Sequence, residues 1–164
     1  MTVSLKQIFM KEGSSLSFKE DLDLSEIETL LEKPIRDAVK IEGSFQNRSG
    51  IVFVSYSMET TLYASCARCA EPIEQKFSQS FEHIIVSELQ DDDNDDFILI
   101  ENYEINLKDL AEGDLLLALP IRFLCSEDCK GLCSVCGINL NKGQCSCVKE
   151  TANSPLSMLN SLLK

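Results

Sequence analysis

Between Cys125 and Cys147 the chain reads CSEDCKGLCSVCGINLNKGQCSC, six cysteines within 23 residues. Thiols this dense hold metal, pair as disulfides or relay electrons, and each use demands a different fold around them. Cys133 and Cys136 lie in GLCSVCG. A C-x2-C step followed by glycine suits a knuckle, a loop that turns its backbone N–H groups toward thiolate sulfur while glycine permits the tight return. Cys125 and Cys129 lie upstream as C-x3-C, Cys145 and Cys147 downstream as C-x-C. Zinc takes four ligands in a tetrahedron, so six thiols exceed one ordinary site. Either two are spares, or the six share two ions, or a second pair at Cys66 and Cys69 recruits two of them.

Eight cysteines in 164 residues fall below the roughly 8–10% of a disulfide scaffold. The opening MTVSLKQIFMKEGSS lacks the basic start, apolar centre and small-residue site of a secretory signal. The longest apolar run, Leu115 to Ile121, is far short of the roughly 20 residues of a membrane span. The expectation is a soluble cytoplasmic protein, in which reducing conditions disfavour structural disulfides and favour metal. Ferredoxin spacings are absent. A thioredoxin-like C-x2-C opens a helix after a strand, whereas Cys66 and Cys69 fall between two strand patterns. Structural zinc is the expected cofactor, with Cys125, Cys129, Cys133, Cys136, Cys145 and Cys147 as its ligands. Cys66, Arg68 and Cys69 stand apart as a second thiol pair or a partner surface.

The strand patterns are clear. Val39, Ile41 and Phe45 alternate with Lys40, Glu42 and Ser44, and NRSG (Asn47 to Gly50) supplies turn chemistry. Val54, Tyr56, Met58, Leu62 and Ala64 share one parity; Ile73, Phe77, Phe81 and Ile85 share another. These runs predict antiparallel strands of a half-solvated sheet with SCARCAEP at their hairpin end. Further strands are expected at Ser15–Asp23 and Phe97–Ile100. A short helical turn from Ser25 to Leu31 would have Ser25 as N-cap and Glu28 completing a capping box. Asn106 would cap a largely buried helix from Leu107 to about Leu119, closed by Pro120. The tail SPLSMLNSLLK reads as a docking helix opened by Ser154 and Pro155, with Leu156, Leu159 and Leu163 on one face, and a partner-binding motif is the alternative. The fold class is α+β: an antiparallel meander with a few helices over residues 1–124, then a cysteine-rich metal-binding knuckle and docking helix over 125–164.

Charge and catalytic chemistry narrow the function. The net charge of −12 divides as −2 over residues 1–70, −11 over 71–124 and +1 over 125–164. Nucleic-acid phosphates would repel the chain as a whole, although Arg68, Lys130 and Lys142 among the thiols leave direct RNA contact open there. Asp91 to Asp96 is not an EF-hand loop, because Asp96 and Asn102 stand where glycine and glutamate are required; it reads as a solvated acidic loop. The only histidine, His83, falls in a strand and reads as structural. No phosphate-cradling glycine loop, G-x-S-x-G or H-E-x-x-H is present. A closed zinc site stabilises folding without offering a substrate position. The expectation is a non-enzymatic protein with no small-molecule substrate and no membrane partner.

Taken together, SCARCAEPIE, LALPIRFLC, CKGLCSVCGINLN and the SPLSMLNSLLK tail resemble the YceD family, the large ribosomal RNA subunit accumulation proteins. The resemblance runs from about residue 10 to the C-terminus. It implies a non-enzymatic role in accumulation of large-subunit ribosomal RNA, and it places Cys66, Arg68 and Cys69 on the family's central motif. The six later cysteines match its cysteine-rich end, and Ser134 stands where proline is common. Given the acidic balance, the expected partner is a ribosomal protein or rRNA-processing factor, with rRNA affected indirectly. Two alternatives remain: a zinc-linked thiol redox protein using Cys66 and Cys69, and a zinc-stabilised RNA-binding module with a basic patch at Arg68, Arg122, Lys130 and Lys142.

Overall fold

The structure, a computed structural model, describes residues 1–28, 33–87 and 97–147. Its elements in chain order are β1 (Thr2–Ser4), α1 (Lys6–Met10), β2 (Ser15–Leu22), β3 (Val39–Arg48), β4 (Ile51–Ser65), β5 (Pro72–Val86), β6 (Phe97–Leu99), β7 (Glu104–Asn106) and α2 (Leu107–Ala118). Strands β2 to β6 form one sheet in sequence order, and β1 pairs with β7 in a two-stranded sheet. The α+β class and the antiparallel meander follow the sequence expectation over β2–β5. The exception is β6, which runs parallel to the end of β5 through Ile84↔Phe97 and Val86↔Leu99.

Two-residue periodicity decides which face of the sheet is dry. On β4, Val52, Val54, Tyr56, Met58, Leu62 and Ala64 are all buried, and β3 adds Val39, Ile41 and Phe45. The register sets Ile41 opposite Met58 and Phe45 opposite Val54. Leu5 and Ile8 from α1's neighbourhood, Leu24, Ile27 and Ile35 from the β2–β3 connection, and Leu107, Ala111 and Leu115 from α2 complete one apolar cluster. The β3–β4 turn is closed by Ser49 and Gly50, both at positive φ (54° and 85°), the requirement of a two-residue hairpin. Asn47 stabilises it by accepting the Gly50 N–H at 3.0 Å, and donates from Nδ2 to the Ile8 carbonyl at 2.8 Å.

Gly43 lies where β3 crosses Tyr56. A methyl group there would sit 2.3 Å from the Tyr56 Cβ and 2.4 Å from the Ser55 carbonyl oxygen. Gly43→Ala should therefore cost about 3 kcal/mol of stability, the upper end for overpacking a well-filled site, read from a chemical denaturation midpoint; an unchanged midpoint would refute the close approach.

Two helix expectations are corrected. Ser25 and Glu26 form a turn closed by the Ile27 N–H on the Leu24 carbonyl at 3.1 Å, and no helix runs through residue 28, because Asp23 Oδ1 engages Ser25, accepting both its N–H at 3.1 Å and its hydroxyl at 2.7 Å. Residues 29–31 of that expected helix, the Asp91–Asp96 loop and the Ser154–Leu163 docking helix lie outside the described residues. The Asn106 cap stands as expected, its side chain accepting the Lys108 N–H at 3.1 Å. However, α2 buries only one face, through Leu107, Ala111, Asp114 and Leu115. Leu116 and Leu117 point to solvent, Leu117 at 88% exposure, because the i, i+3, i+4 spacing turns them away from the sheet. Among the described residues no helix is long and apolar enough to cross a membrane.

Asp114 is buried on α2 because two partners from the sheet receive it. Its carboxylate accepts the Tyr56 hydroxyl of β4 and lies 2.7 Å from His83 Nε2 of β5. His83 thus has a fixed structural partner.

Candidate metal centres

The first thiol cluster forms at the tip of the β4–β5 hairpin. Cys66 N–H donates to the Glu71 carbonyl at 2.8 Å and Ala70 N–H to the Cys66 carbonyl at 2.9 Å. Ala70 takes φ 57° to close the turn. The chain leaving α2 then runs back past this tip, with Ala67 N–H bonded to the Phe123 carbonyl at 2.9 Å. That approach delivers Cys125 and Cys129 to Cys66 and Cys69. The Cys66–Cys129 sulfurs are 3.8 Å apart and the Cys69–Cys125 sulfurs 3.6 Å.

Arg68 locks the two segments together. Its Nη1 donates to the Glu127 carbonyl at 2.8 Å and to the Cys129 carbonyl at 3.0 Å, and its own carbonyl accepts the Leu132 N–H at 3.1 Å. Gly131 is required at this crossing: φ is +74°, and a Cβ would meet the Arg68 carbonyl oxygen at 2.9 Å. Glu71 reinforces the seam through Lys142 Nζ at 2.7 Å and Asn139 Nδ2 at 3.2 Å. Arg68 and Lys142, half of the basic patch the RNA-binding reading relied on, are therefore engaged within the chain.

The second cluster is the knuckle itself. Cys133 N–H bonds the Ile138 carbonyl at 2.8 Å and Gly137 N–H bonds the Cys133 carbonyl at 2.9 Å, with Gly137 at φ 73°. Cys133, Cys136, Cys145 and Cys147 converge there, and the Cys133–Cys145 sulfurs are 3.4 Å apart. The six C-terminal thiols grouped by sequence are thus distributed between two quartets, four in the knuckle and two completing the hairpin pair.

Both quartets fit a tetrahedral metal. Within each, all ligand atoms lie within 4.8 Å of one another. Four sulfurs about 2.3 Å from a zinc ion would be about 3.8 Å apart, whereas a disulfide needs about 2.05 Å. The electrostatics agree. Cys125 N–H points at Cys66 Sγ (3.4 Å), Val135 N–H at Cys133 Sγ (3.4 Å) and Asn141 Nδ2 at Cys129 Sγ (3.2 Å). The Cys125 backbone N–H brings the Cys66 thiol down to about 6. The Cys136 backbone, then that of Val135, does the same for Cys133, also to about 6, and the Asn141 amide lowers Cys129. Their neighbours move the other way: Cys129 raises Cys125 to about 12, and Cys136 raises Cys147 to about 12. Four thiolates in one shell repel each other, so full deprotonation calls for a cation among them.

The quartets differ in shelter. Cys66, Cys69 and Cys129 are buried and only Cys125 is exposed; in the knuckle only Cys133 is buried. The first cluster also carries the greater structural burden, since it joins segments some sixty residues apart in the chain.

The family model described as "Large ribosomal RNA subunit accumulation protein YceD" matches residues 54–163. The chain is similar to "Large ribosomal RNA subunit accumulation protein YCED homolog 1, chloroplastic" of Arabidopsis thaliana, 34% identical over 59 residues. That alignment covers 36% of this chain and 18% of the plant protein, so the chain spans less than a fifth of its relative. No solved structure matches.

Proposed function

Because this chain belongs to the YceD family, we propose that it supports accumulation of large-subunit (23S-type) ribosomal RNA as a non-enzymatic, cytoplasmic biogenesis factor that works through a protein partner. The observation that carries this reading is the pair of cysteine quartets. Each offers four thiolate ligands, a complement that fills a tetrahedral ion and leaves no position for substrate or activated water. When bound, zinc would supply folding energy here: Cys66, Cys69, Cys125 and Cys129 would hold one ion, Cys133, Cys136, Cys145 and Cys147 the other. The first fixes the end of the long hairpin to the segment after α2; the second shapes the knuckle.

The net charge of −12 favours a basic protein over bare rRNA as the immediate partner. A ribosomal protein or a processing factor has that character. Depleting the protein in cells should lower the ratio of large- to small-subunit rRNA, and re-expression of the intact chain should restore it. An unchanged ratio would overturn the assignment. A purified protein that captures rRNA alone, in a salt-dependent way, would overturn the protein-partner reading while leaving the role in rRNA accumulation intact.

A further inference from the structure

Among the described residues, β5 is paired along one edge by β4 and along its other edge only in part. It pairs with β4 from Pro72 to Ile85, whereas β6 covers its other edge only over Ile84–Val86. Among the described residues nothing pairs with the backbone edge before Ile84.

Which groups that edge presents follows from the ladder. In an antiparallel pair, successive residues alternate between bonding the partner strand and facing away from it. Cys66 N–H donates to the Glu71 carbonyl, and the Val86 carbonyl accepts the Ile100 N–H on the opposite side of the strand. Odd-numbered residues therefore bond β4, and even-numbered residues face outward. Pro72 fits the same assignment, since it has no N–H and stands at an outward position that needs none. Glu74, Lys76, Ser78, Ser80 and Glu82 consequently turn both N–H and C=O away from the sheet, and all five are exposed.

Sheet edges are usually blunted by proline, bulges or several lysines. Here the register from Ile73 to His83 is continuous, and Lys76 is the single lysine in that run. The side chains set what could join. On the core side, Phe77 and Phe81 are only half-buried, with exposed Gln75 and Gln79 beside them. On the outer side stand Glu74, Lys76 and Glu82, so the run carries a net −1 in a chain whose total is −12. A second copy would bring an equal charge to this edge; a Lys- or Arg-bearing strand would be attracted to it.

We propose that the free edge of β5, from Glu74 to Glu82, captures an extended segment of a basic protein as an added strand. The inference rests on the reading that this chain works through a protein partner. The added strand would alternate apolar residues, packed along Phe77 and Phe81, with Lys or Arg on the outer face. Main-chain bonds would supply affinity, and the alternation would supply selectivity.

The test uses the full chain and a capped ten-residue peptide of alternating Lys and Val, with the Glu–Val peptide as control. Amide exchange followed by NMR should show new protection at Lys76, Ser78, Ser80 and Glu82 with the Lys–Val peptide and none with its acidic counterpart. Ser78→Pro deletes an outward N–H without touching the β4 ladder. It should weaken peptide binding about tenfold or more, the equivalent of one or two lost hydrogen bonds, whereas Ser78→Ala should bind like wild type. Ser80→Pro repeats the test one step along the edge should Ser78→Pro fail to fold. No protection with the peptide, undiminished binding by the proline variants, or full protection of these amides before peptide is added would overturn the proposal; the last result would mean that another part of the chain or a second copy occupies the edge. In depleted cells, Ser78→Ala should restore large-subunit rRNA and Ser78→Pro should not. Restoration by both would sink the edge and spare the family role, while an rRNA ratio unaffected by depletion would sink the family role itself.

Discussion

Native mass spectrometry of the protein purified without added metal should show two zinc ions, and each pairwise cysteine-to-serine variant should lose one. Cys133→Ser/Cys136→Ser empties the knuckle and should keep the hairpin ion, because the Ala67–Phe123 contact and Arg68 that position Cys66, Cys69, Cys125 and Cys129 do not involve the knuckle thiols. Cys66→Ser/Cys69→Ser is the more damaging pair. It should lose one ion and also release the segment from Cys125 to Leu132, visible as faster amide exchange there, since metal and fold are coupled where a site joins distant segments. Two ions retained in Cys66→Ser/Cys69→Ser, or a lone ion in the wild type that survives in that variant, would remove the hairpin thiols from the ligand set. No metal, with a mass deficit of two hydrogens per cysteine pair, would mean disulfides, and the thiol-redox reading would replace the structural one.

The sheet was legible because its signal is local. Val54, Tyr56, Met58, Leu62 and Ala64 share a parity, and all are buried; Asn106 before the apolar run of α2 is the cap it looks like. The hairpin position of Cys66 and Cys69 followed from the same alternation. The division of the thiols was not legible, because it depends on the chain after α2 returning to the hairpin tip, a nonlocal approach that no C-x-C spacing encodes. Ser25 misled for a local reason: two adjacent side chains, Asp23 and Ser25, compete for one turn, and the carboxylate is the stronger acceptor. β1, α1 and β7 span three to five residues each, too short for any period to register. One signal was available and went unused. Asp114 shares the helical stripe of Leu107, Ala111 and Leu115, and a carboxylate in an apolar stripe demands a partner from the surface it faces.

That partner set puts Asp114→Ala beside Gly43→Ala among the most destabilising single substitutions expected outside the cysteines. Asp114 is only 8% exposed, and its carboxylate accepts the Tyr56 hydroxyl and meets His83 Nε2 at 2.7 Å. Truncation would leave the Tyr56 hydroxyl buried without its acceptor and remove the polar tie between α2 and the β4–β5 pair. The cost should be about 3 kcal/mol, as for other broken buried networks, or a fall in Tm of roughly 10 °C for a chain of this size. Tyr56→Phe should cost less, about 2 kcal/mol, because one donor to a charged acceptor is lost while His83 remains. The double variant should fall short of the sum, since both changes remove the same bond. pH supplies an independent readout. Burial, then the hydrogen bond to Asp114, pushes the Tyr56 hydroxyl far above the usual tyrosine range. A group that holds its proton more tightly when folded contributes fully below its unfolded value, about 10, and that contribution is lost as pH rises further. Wild type should therefore lose stability on the alkaline side of pH 10 more steeply than Tyr56→Phe, and parallel alkaline limbs in the two proteins would rule the network out as a source of stability.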